Sequence, residues 1–401
     1  MGMNDTPLAN RMHVGFFGLR NAGKSSLFNA FASQELAIVS DTPGTTTDPV
    51  TKSMELLPAG PIVIIDTPGL DDVGELGEKR VAQAKKILRR CDLVLIICDS
   101  TKGLSDLDKN LYHNASSANI PCLIVFSKSD LLNKSLENDF QDGTIDNPFY
   151  VTQKDLSTVD KLRSLVAKHL SQTDKKTPLV SDLLKKNGKA ILVVPIDKSA
   201  PKGRLILPQQ QVCRDLLDAG CSVVFVRDTE LENTLKWCNP DIVITDSQVF
   251  ATVAKVVPKN IPLTSFSILL ARYKGVLPSL TKGAFEIEKL QNGDKILISE
   301  ACTHHRQCED IGTVKLPALI RKYTGKNIIF ETSSGTDFPE NLSSYKIILH
   351  CGGCMIQDKE MKYRLNCAQI AGIPMTNYGT AIAYMNGILE SSLEILNIKV
   401  N

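Results

Sequence analysis

Apolar runs of strand length recur along the whole chain, and polar or glycine-rich segments follow most of them. The first run is residues 14–17, and residues 26–31 after it have the amphipathic pattern of a helix. Three further runs in the first third of the chain have the pattern of buried strands: residues 62–65, 93–97 and 122–126. Strands that are buried on both faces read as continuous apolar runs. The pattern therefore predicts an α/β fold with a parallel sheet.

The alternation of strands and helices resumes after a polar, lysine-rich stretch at residues 171–189, whose composition is typical of a domain boundary. The predicted strands beyond it are residues 190–195, 222–226, 241–245, 295–299, 327–331 and 345–349. The predicted helices are residues 207–217, 231–237 and 247–256. We therefore predict three α/β domains: an N-terminal domain at 1–172, a small parallel-sheet domain at 188–262 and a C-terminal domain at 266–401.

Composition and charge exclude several classes of partner. Of the 401 residues, 43% are hydrophobic and 22% are charged, and the net charge is +2 without a long basic run, so we expect no nucleic-acid partner. The longest apolar runs, such as residues 93–98, are too short to span a membrane. The polar N-terminus lacks the apolar core of a signal peptide, and eleven cysteines then favour a reducing compartment. We expect a cytoplasmic protein.

Residues 18–25 read G-L-R-N-A-G-K-S and directly follow the first strand. Glycines at these positions let backbone N–H groups close around phosphates, and the following helix adds its dipole. Lys24 is expected to reach the β- and γ-phosphates, and the Ser25 hydroxyl is expected to ligate Mg²⁺. The predicted nucleotide-binding residues here are Asn21, Ala22, Gly23, Lys24, Ser25 and Ser26.

Three later motifs specify the kind of nucleotide. Asp66 and Gly69 form a D-x-x-G pattern at the end of a strand, and a polar, loop-like segment with Thr46 precedes it. The next two apolar runs lead to Lys128 and Asp130 in an S-K-x-D pattern. This succession resembles the translation-factor-related GTPases, in the branch that includes Era and MnmE-type proteins.

That resemblance implies a role for each residue. Asp66 and Thr46 would complete the Mg²⁺ site with Ser25, and Gly69 would contact the γ-phosphate. Asp130 would bind guanine, Lys128 would lie along the base, and Thr152, Gln153 and Lys154 would back it. We therefore predict that Lys24, Thr46, Asp66 and Gly69 are the catalytic set of an enzyme that converts GTP to GDP and phosphate.

Two departures from the family pattern bear on affinity and rate. Ser127 stands where the family has asparagine, and its short side chain predicts weaker guanine binding. Leu70 stands where Ras-type enzymes carry a water-orienting glutamine, which predicts slow hydrolysis. Asn21 and the switch around Thr46 resemble the potassium-dependent members, in which K⁺ bound by that asparagine supplies positive charge. We expect K⁺ to stimulate hydrolysis.

A second cluster of chemistry lies in the last third of the chain. Cys302 and His304 follow one predicted strand, and residues 350–354, His-Cys-Gly-Gly-Cys, follow another. Because the carboxyl ends of parallel strands meet at one edge of a sheet, we expect these segments to converge. Three thiols with an imidazole fit tetrahedral Zn²⁺, and three thiols also fit a [4Fe–4S] cluster with one iron left to another ligand. Spacing alone leaves both open.

The C-x-H and H-C-x-x-C patterns, downstream of a potassium-type GTPase domain, resemble the [FeFe]-hydrogenase maturation GTPase family, HydF. Other similar stretches are residues 197–206, 264–268, 272–275 and 293–295. The resemblance implies a GTPase domain, a dimerisation domain and a cluster-binding domain. It further implies a [4Fe–4S] cluster on Cys302, Cys351 and Cys354, with His304 and His350 as further candidate ligands.

The implied function is that of a scaffold or carrier. The protein would hold a di-iron precursor and deliver it to apo-[FeFe]-hydrogenase, with radical-SAM maturases as further partners and a homodimer as the assembly. Two alternatives are an assembly GTPase with a structural zinc site and an enzyme with redox or radical chemistry at the cluster. The sequence has neither a C-x-x-x-C-x-x-C run nor a G-x-G-x-x-G after a strand, which weighs against the second.

Overall fold

The computed structural model describes residues 11–33, 49–69, 83–84, 86–131, 148–172, 177–196, 205–301, 311–335, 338–339, 341–396 and 398. The chain divides into two compact units, Met1–Lys175 and Lys176–Asn401. In the described part of the chain, no helix is both long and apolar enough to cross a membrane.

The first unit contains a six-stranded sheet in the order β2-β3-β1-β4-β5-β6, in which only β2 runs antiparallel to its neighbour. Its strands are β1 (Met12–Phe17), β2 (Val50–Leu56), β3 (Gly60–Asp66), β4 (Leu93–Asp99), β5 (Cys122–Ser127) and β6 (Phe149–Tyr150). Its described helices with complete bounds are α1 (Lys24–Ala32), α2 (Asp106–Ser117) and α3 (Leu156–Gln172).

The sheet of the first unit is buried on both faces. On one face Phe16 meets Phe28 and Phe31 of α1 edge to face, with ring centroids 5.5 Å apart in both pairs. On the other face Phe17 packs in a second apolar cluster with Leu111 of α2. This two-sided burial explains why the strands are continuous apolar runs, and it leaves the polar residues for the loops at the carboxyl ends of β1, β3, β4 and β5.

The second unit contains two four-stranded sheets, and every strand pair in them is parallel. The first has the order β10-β9-β7-β8, from β7 (Lys189–Val193), β8 (Ser222–Val226), β9 (Ile242–Thr245) and β10 (Leu263–Ser265). The second has the order β12-β11-β13-β14, from β11 (Lys295–Glu300), β12 (Ile329–Ser334), β13 (Ile347–His350) and β14 (Met375–Asn377).

Nine described helices belong to this unit. They are α4 (Leu207–Asp218), α5 (Leu231–Cys238), α6 (Phe250–Val256), α7 (Phe266–Tyr273), α8 (Leu277–Phe285), α9 (Leu316–Thr324), α10 (Asp358–Ile370), α11 (Tyr378–Met385) and α12 (Leu389–Glu394). A single apolar cluster includes Leu192 and Ile244 of the first sheet, Leu297 and Ile348 of the second, and Leu269 of α7. The two sheets therefore share one core.

The predicted fold class is confirmed: the chain has an N-terminal nucleotide-binding α/β unit followed by smaller parallel α/β sheets. The sequence did not predict β2, β6, β10 or β14. The last three have only two or three residues each, too few to show a pattern of their own.

Candidate functional site

The phosphate-binding loop leaves β1 and enters α1 through backbone conformations that favour glycine. Gly23 is the N-cap of α1 with φ +82°, and Asn21 also has a positive φ of 62°. A Cβ on Gly18 would lie 2.3 Å from the carbonyl oxygen of Ile97, so only glycine fits this close approach to β4. Lys24 is the first residue of α1 and its side chain is nearly buried.

Asp66 ends β3 beside the phosphate-binding loop. Its Oδ1 is buried without a hydrogen-bond partner and lies 3.8 Å from Lys24 Nζ. Burial raises the pKa of this carboxyl group, and a hydrogen bond with Ser25 and the charge of Lys24 partly oppose that rise. A buried, unsatisfied carboxylate oxygen beside a serine hydroxyl is a donor set that fits Mg²⁺. Gly69 lies just beyond and Ser26 is exposed on α1, whereas Thr46 and Leu70 lie outside the described residues.

Ser127 has a structural role that the sequence did not indicate. It is buried at the end of β5, and its hydroxyl donates to the carbonyl oxygen of Ala22 at 2.5 Å and to that of Cys98 at 3.2 Å. The hydroxyl thus ties the phosphate-binding loop to β4 and β5. Because the phosphate-binding loop approaches β5 closely, the short side chain of Ser127 still reaches it.

Asp99 at the end of β4 is a residue of this site that the sequence reasoning missed. Lys128 Nζ donates to Asp99 Oδ2 at 2.6 Å and to the carbonyl oxygen of Asn21 at 2.8 Å. Hydrogen bonds from Lys128 and Thr101 lower the pKa of Asp99 despite its burial. The signal was available, because Asp99 directly follows an apolar strand that ends at the same sheet edge.

Two of the residues predicted to recognise the base, Asp130 and Thr152, contact each other in the structure. Thr152 Oγ1 donates to Asp130 Oδ1 at 2.7 Å, and Lys154 Nζ lies 2.7 Å from Asp130 Oδ2. Hydrogen bonds from Lys154 and Thr152 lower the pKa of Asp130, so this residue is a carboxylate at neutral pH. Gln153 Nε2 donates to the carbonyl oxygen of Gly23 at 3.4 Å, which joins this segment to the phosphate-binding loop.

In the second unit, a row of polar residues crosses the carboxyl end of the second sheet. The strand register aligns Ser333 with Ser299, Ser299 with His350, and His350 with Asn377. The last three are fully or almost fully buried. This polar row directly precedes the C-x-x-C segment and offers hydrogen bonds beneath it, while Cys351 and Cys354 also pack against apolar clusters.

The C-x-x-C thiols are half-buried at this sheet edge. The backbone N–H of Ala301, the residue before Cys302 in the sequence, donates to Cys351 Sγ at 3.1 Å. Gly353 between the thiols has φ +64°, a conformation that glycine adopts without strain. Cys302 and His304 lie outside the described residues, and within the described ones no three His, Cys, Asp or Glu side chains form a metal-binding group.

His350 is fully buried beneath the C-x-x-C segment, and both ring nitrogens have partners. Nδ1 lies 2.7 Å from the carbonyl oxygen of Cys351, to which it must donate, which leaves Nε2 to accept from Arg364 Nη1 at 3.1 Å. Burial and the charge of Arg364 lower the pKa of His350 to about 3, so the ring is neutral. In this geometry Nε2 could bind iron only after the guanidinium group of Arg364 had moved away.

Lys274 is a buried cation at the other end of the C-x-x-C segment. Its Nζ donates to the carbonyl oxygen of Ile356 at 2.6 Å and lies 3.4 Å from Asp358 Oδ1. Burial lowers the pKa of Lys274, and the negative charges of Asp358, Cys354 and Cys351 oppose that shift. Lys274 is therefore bound to the chain two residues beyond Cys354, and its charge is of the sign that stabilises negative charge on the cysteines.

Three family models match the chain. A 50S ribosome-binding GTPase model matches residues 13–128, a hydrogen maturase F dimerization domain matches residues 179–275, and a hydrogen maturase F tetramerization domain matches residues 278–395. The GTPase match covers the phosphate-binding loop, Asp66 and Lys128. The two other matches together cover both sheets of the second unit.

Two curated relatives each match about a third of this chain. The tRNA modification GTPase MnmE of Prochlorococcus marinus is 42% identical over 123 residues, which is 30% of this chain and 26% of that protein. The GTPase Der of Campylobacter hominis is 35% identical over 155 residues, 38% of this chain and 33% of that protein. The chain thus spans a third or less of the length of these relatives.

Among solved structures, Aquifex aeolicus Era bound to GDP and AlF4⁻ covers 61% of this chain and 97% of its own, with 18% identity and a TM-score of 0.34. The G domain of the T. maritima FeoB iron transporter covers 40% of this chain and 99% of its own, with 20% identity and a TM-score of 0.32.

Proposed function

This chain belongs to the hydrogen maturase F family, and we propose that it is a GTP-hydrolysing scaffold that binds a [4Fe–4S] cluster and delivers a di-iron precursor to apo-[FeFe]-hydrogenase. One observation carries the proposal. A GTPase unit and a half-buried C-x-x-C segment, with an N–H group already directed at one of its sulfurs, occur in the same chain. The first unit is a GTPase domain, whose ligands are GTP or GDP and Mg²⁺.

The roles proposed for the GTPase residues follow from their positions. Lys24 offers its ammonium group at the start of α1, where the phosphates of GTP bind. Asp66 and Ser25 would hold Mg²⁺, whose positive charge would stabilise the γ-phosphoryl group in the transition state of its transfer. Asp130 accepts hydrogen bonds from the guanine edge because it stays ionised. Thr46 and Gly69 remain proposed members of the same set.

We further propose that hydrolysis is slow and K⁺-stimulated. The side chain of Leu70 has no polar atom that could orient the attacking water. Another group would therefore have to speed hydrolysis, for example by adding positive charge beside the phosphates. Asn21 is exposed in the phosphate-binding loop with a positive φ, and its carbonyl oxygen is held by Lys128. Its side chain is thereby presented outwards, where it could coordinate K⁺ beside the nucleotide.

The residues around the C-x-x-C segment fit an iron–sulfur cluster. N–H groups that donate to thiolate sulfur and nearby buried cations stabilise the negative charge of a thiolate-ligated cluster. Cys302, Cys351 and Cys354 would hold it, and His304 is the remaining candidate ligand from the same segment as Cys302. A cluster with one iron not bound by thiolate supplies an exchangeable coordination position. His350, with both nitrogens engaged, would act as a support instead of a ligand.

Delivery is tested by mixing the purified, reconstituted protein, loaded with a di-iron precursor, with apo-[FeFe]-hydrogenase. We expect hydrogen evolution to rise with time and with the amount of loaded protein, because the exchangeable position allows the guest complex to leave. The control is the same protein reconstituted without the precursor. If the loaded protein activates no hydrogenase above this control, the carrier function is contradicted.

The chain carries two oligomerisation domains, and β8 is the surface that we propose for the dimer. It forms one edge of its sheet, and Phe225 on it is 36% exposed. Ser222 N–H donates to Gly188 and Val226 C=O accepts from Val194, both at 2.8 Å, so these residues face β7. By alternation, the backbone N–H and C=O groups of Val223 and Phe225 point to the open side of the sheet, where a second copy could pair with them.

Phe225→Pro tests this surface. Proline removes the outward N–H and leaves the hydrogen bonds between β8 and β7 intact, so we expect the oligomer to fall apart at concentrations at which the unaltered protein is assembled. Light scattering coupled to size-exclusion chromatography measures the mass. Phe225→Ala, which keeps the N–H group, is the control and should remain more associated than the proline variant. An unchanged mass for Phe225→Pro would place the interface elsewhere.

A further inference from the structure

We propose that two buried cations, Lys274 and Arg364, position the two ends of the C-x-x-C segment and raise the reduction potential of the cluster it binds. Neither residue carries a ligand atom; each would act on the cluster through the chain that holds it and through its charge. This inference rests on the proposed function, because it requires a cluster at Cys351 and Cys354.

Arg364 extends from α10 under the C-x-x-C segment. Its side chain is 1% exposed, and it is the largest of the fully buried side chains in the described structure. The guanidinium group donates to Ser299 Oγ at 3.4 Å, to His350 Nε2 at 3.1 Å and to the carbonyl oxygen of Gly335 at 2.7 Å. These bonds join three strands of the sheet, so the cation fixes the polar row on which the segment rests.

A chain of hydrogen bonds leads from this cation to the ligand segment. Glu360 accepts from Arg364 Nε at 2.8 Å, Arg364 donates to His350, and His350 donates to the carbonyl oxygen of Cys351 at 2.7 Å. The imidazole also lies against the turn between the thiols, since a Cβ on Gly353 would be 3.7 Å from His350 Cε1. The orientation of the segment at Cys351 is therefore set by Arg364 through His350.

Lys274 holds the other end of the segment. It is the C-cap of α7, a helix of the region matched by the dimerization model, and it donates to the carbonyl oxygen of Ile356, two residues beyond Cys354. The other end of α7 is also close, because a Cβ on Gly352 would lie 3.9 Å from Ser267 Cβ. Both matched domains therefore contribute to the proposed cluster site. The C-x-x-C segment lies in the tetramerization match, and α7 lies in the dimerization match.

The arrangement of charges indicates what the two cations do. The side chains of Lys274 and Arg364 are 5% and 1% exposed, whereas those of their partners Asp358 and Glu360 are 26% and 16% exposed. The positive groups are therefore the deeper members of each pair. A thiolate-ligated cluster is negatively charged and becomes more so when it accepts an electron. Buried positive charge stabilises the reduced form more than the oxidised form.

The test compares Lys274→Met and Arg364→Met with the charge-retaining variants Lys274→Arg and Arg364→Lys. Lys322→Met, at an exposed position on α9, is the control for loss of a positive charge at a distance. Each protein is reconstituted anaerobically, and its midpoint potential is measured by dithionite titration, in which one electron reduces the cluster, followed by EPR. Loss of cluster to an iron chelator is measured in parallel.

We expect a lower midpoint potential in both methionine variants and chelation of iron that is faster by about tenfold. Lys274→Arg and Arg364→Lys should keep potentials near that of the unaltered protein, and Lys322→Met should change neither quantity. Unaltered potentials in the methionine variants would overturn the proposal, because a merely structural role would change retention alone. If Arg364→Met does not fold, the proposal is still tested by the potential of Lys274→Met, which should fall, and by that of Arg364→Lys, which should not. An unaltered protein that binds no cluster would instead overturn the proposed function.

Discussion

Cys351→Ala and Cys354→Ala each remove the iron–sulfur cluster that the unaltered protein is expected to bind. After anaerobic reconstitution, we expect about four iron atoms per chain in the unaltered protein and little above background in either variant. Each thiolate is a ligand that alanine cannot replace, and the half-buried segment offers no other described cysteine to take its place. Cys302→Ala is expected to have the same effect. Iron and sulfide analysis and low-temperature EPR of the reduced protein measure the loss.

Cys367→Ala is the matched control for this experiment. Cys367 is also half-buried and packs against the same apolar cluster as Cys354, but it lies on α10, the helix that follows the C-x-x-C segment, and outside the C-x-x-C pattern. We expect it to retain the full cluster signal. Stoichiometric zinc without iron in the unaltered protein would contradict the cluster and make the segment a structural zinc site. Equal iron in the cysteine variants and the control would place the cluster elsewhere.

Lys24→Ala is expected to lower the rate of GTP hydrolysis by about 10²- to 10³-fold, the usual effect of removing one group that stabilises transition-state charge. Its ammonium group is nearly buried at the start of α1 and lies 3.8 Å from Asp66 Oδ1, and alanine removes this positive charge from the phosphate-binding loop. Phosphate release under saturating Mg²⁺ and GTP measures the rate. Asp66→Ala should cause a loss of similar size because it removes a proposed Mg²⁺ ligand.

Lys109→Ala is the control for these variants, since Lys109 is an exposed residue of α2 in the same unit. Its rate should equal that of the unaltered protein. The same assay in KCl and in NaCl tests stimulation by K⁺, and equal rates in the two salts would contradict it. A Lys24→Ala protein with an undiminished rate would show that the measured hydrolysis comes from a contaminant or from another site.

The sequence predicted the fold class because parallel strands that are buried on both faces of a sheet are continuous apolar runs in the sequence. It predicted the nucleotide-binding segments because glycine, lysine and aspartate occur in them at fixed spacings after those strands. It did not predict the hydrogen bonds of Ser127, since these depend on how closely the phosphate-binding loop approaches that residue. In the structure that loop comes to within 2.5 Å of the hydroxyl group.

The two buried cations could not be predicted from local pattern alone. Arg364 belongs to a helix rich in charged residues, where an arginine ordinarily lies in solvent. One signal was present: Met361, Arg364 and Ala368 have the spacing of a single helix face, and Met361 and Ala368 are apolar. Lys274 gave no comparable signal, because its burial depends on the C-x-x-C segment, which is distant in sequence.

The two sheets of the second unit share one core, and this limits where recombination can divide the chain during evolution. Leu269 of α7 packs in the same cluster as Leu192 and Ile348, so a break between the two matched domains would expose apolar side chains on both fragments. Elements that share a core unfold together. A recombination event at residues 175–176 leaves both cores whole, whereas one near residue 276 does not. The GTPase unit is thus the exchangeable module of this architecture, and the two sheets that follow must evolve as a single piece.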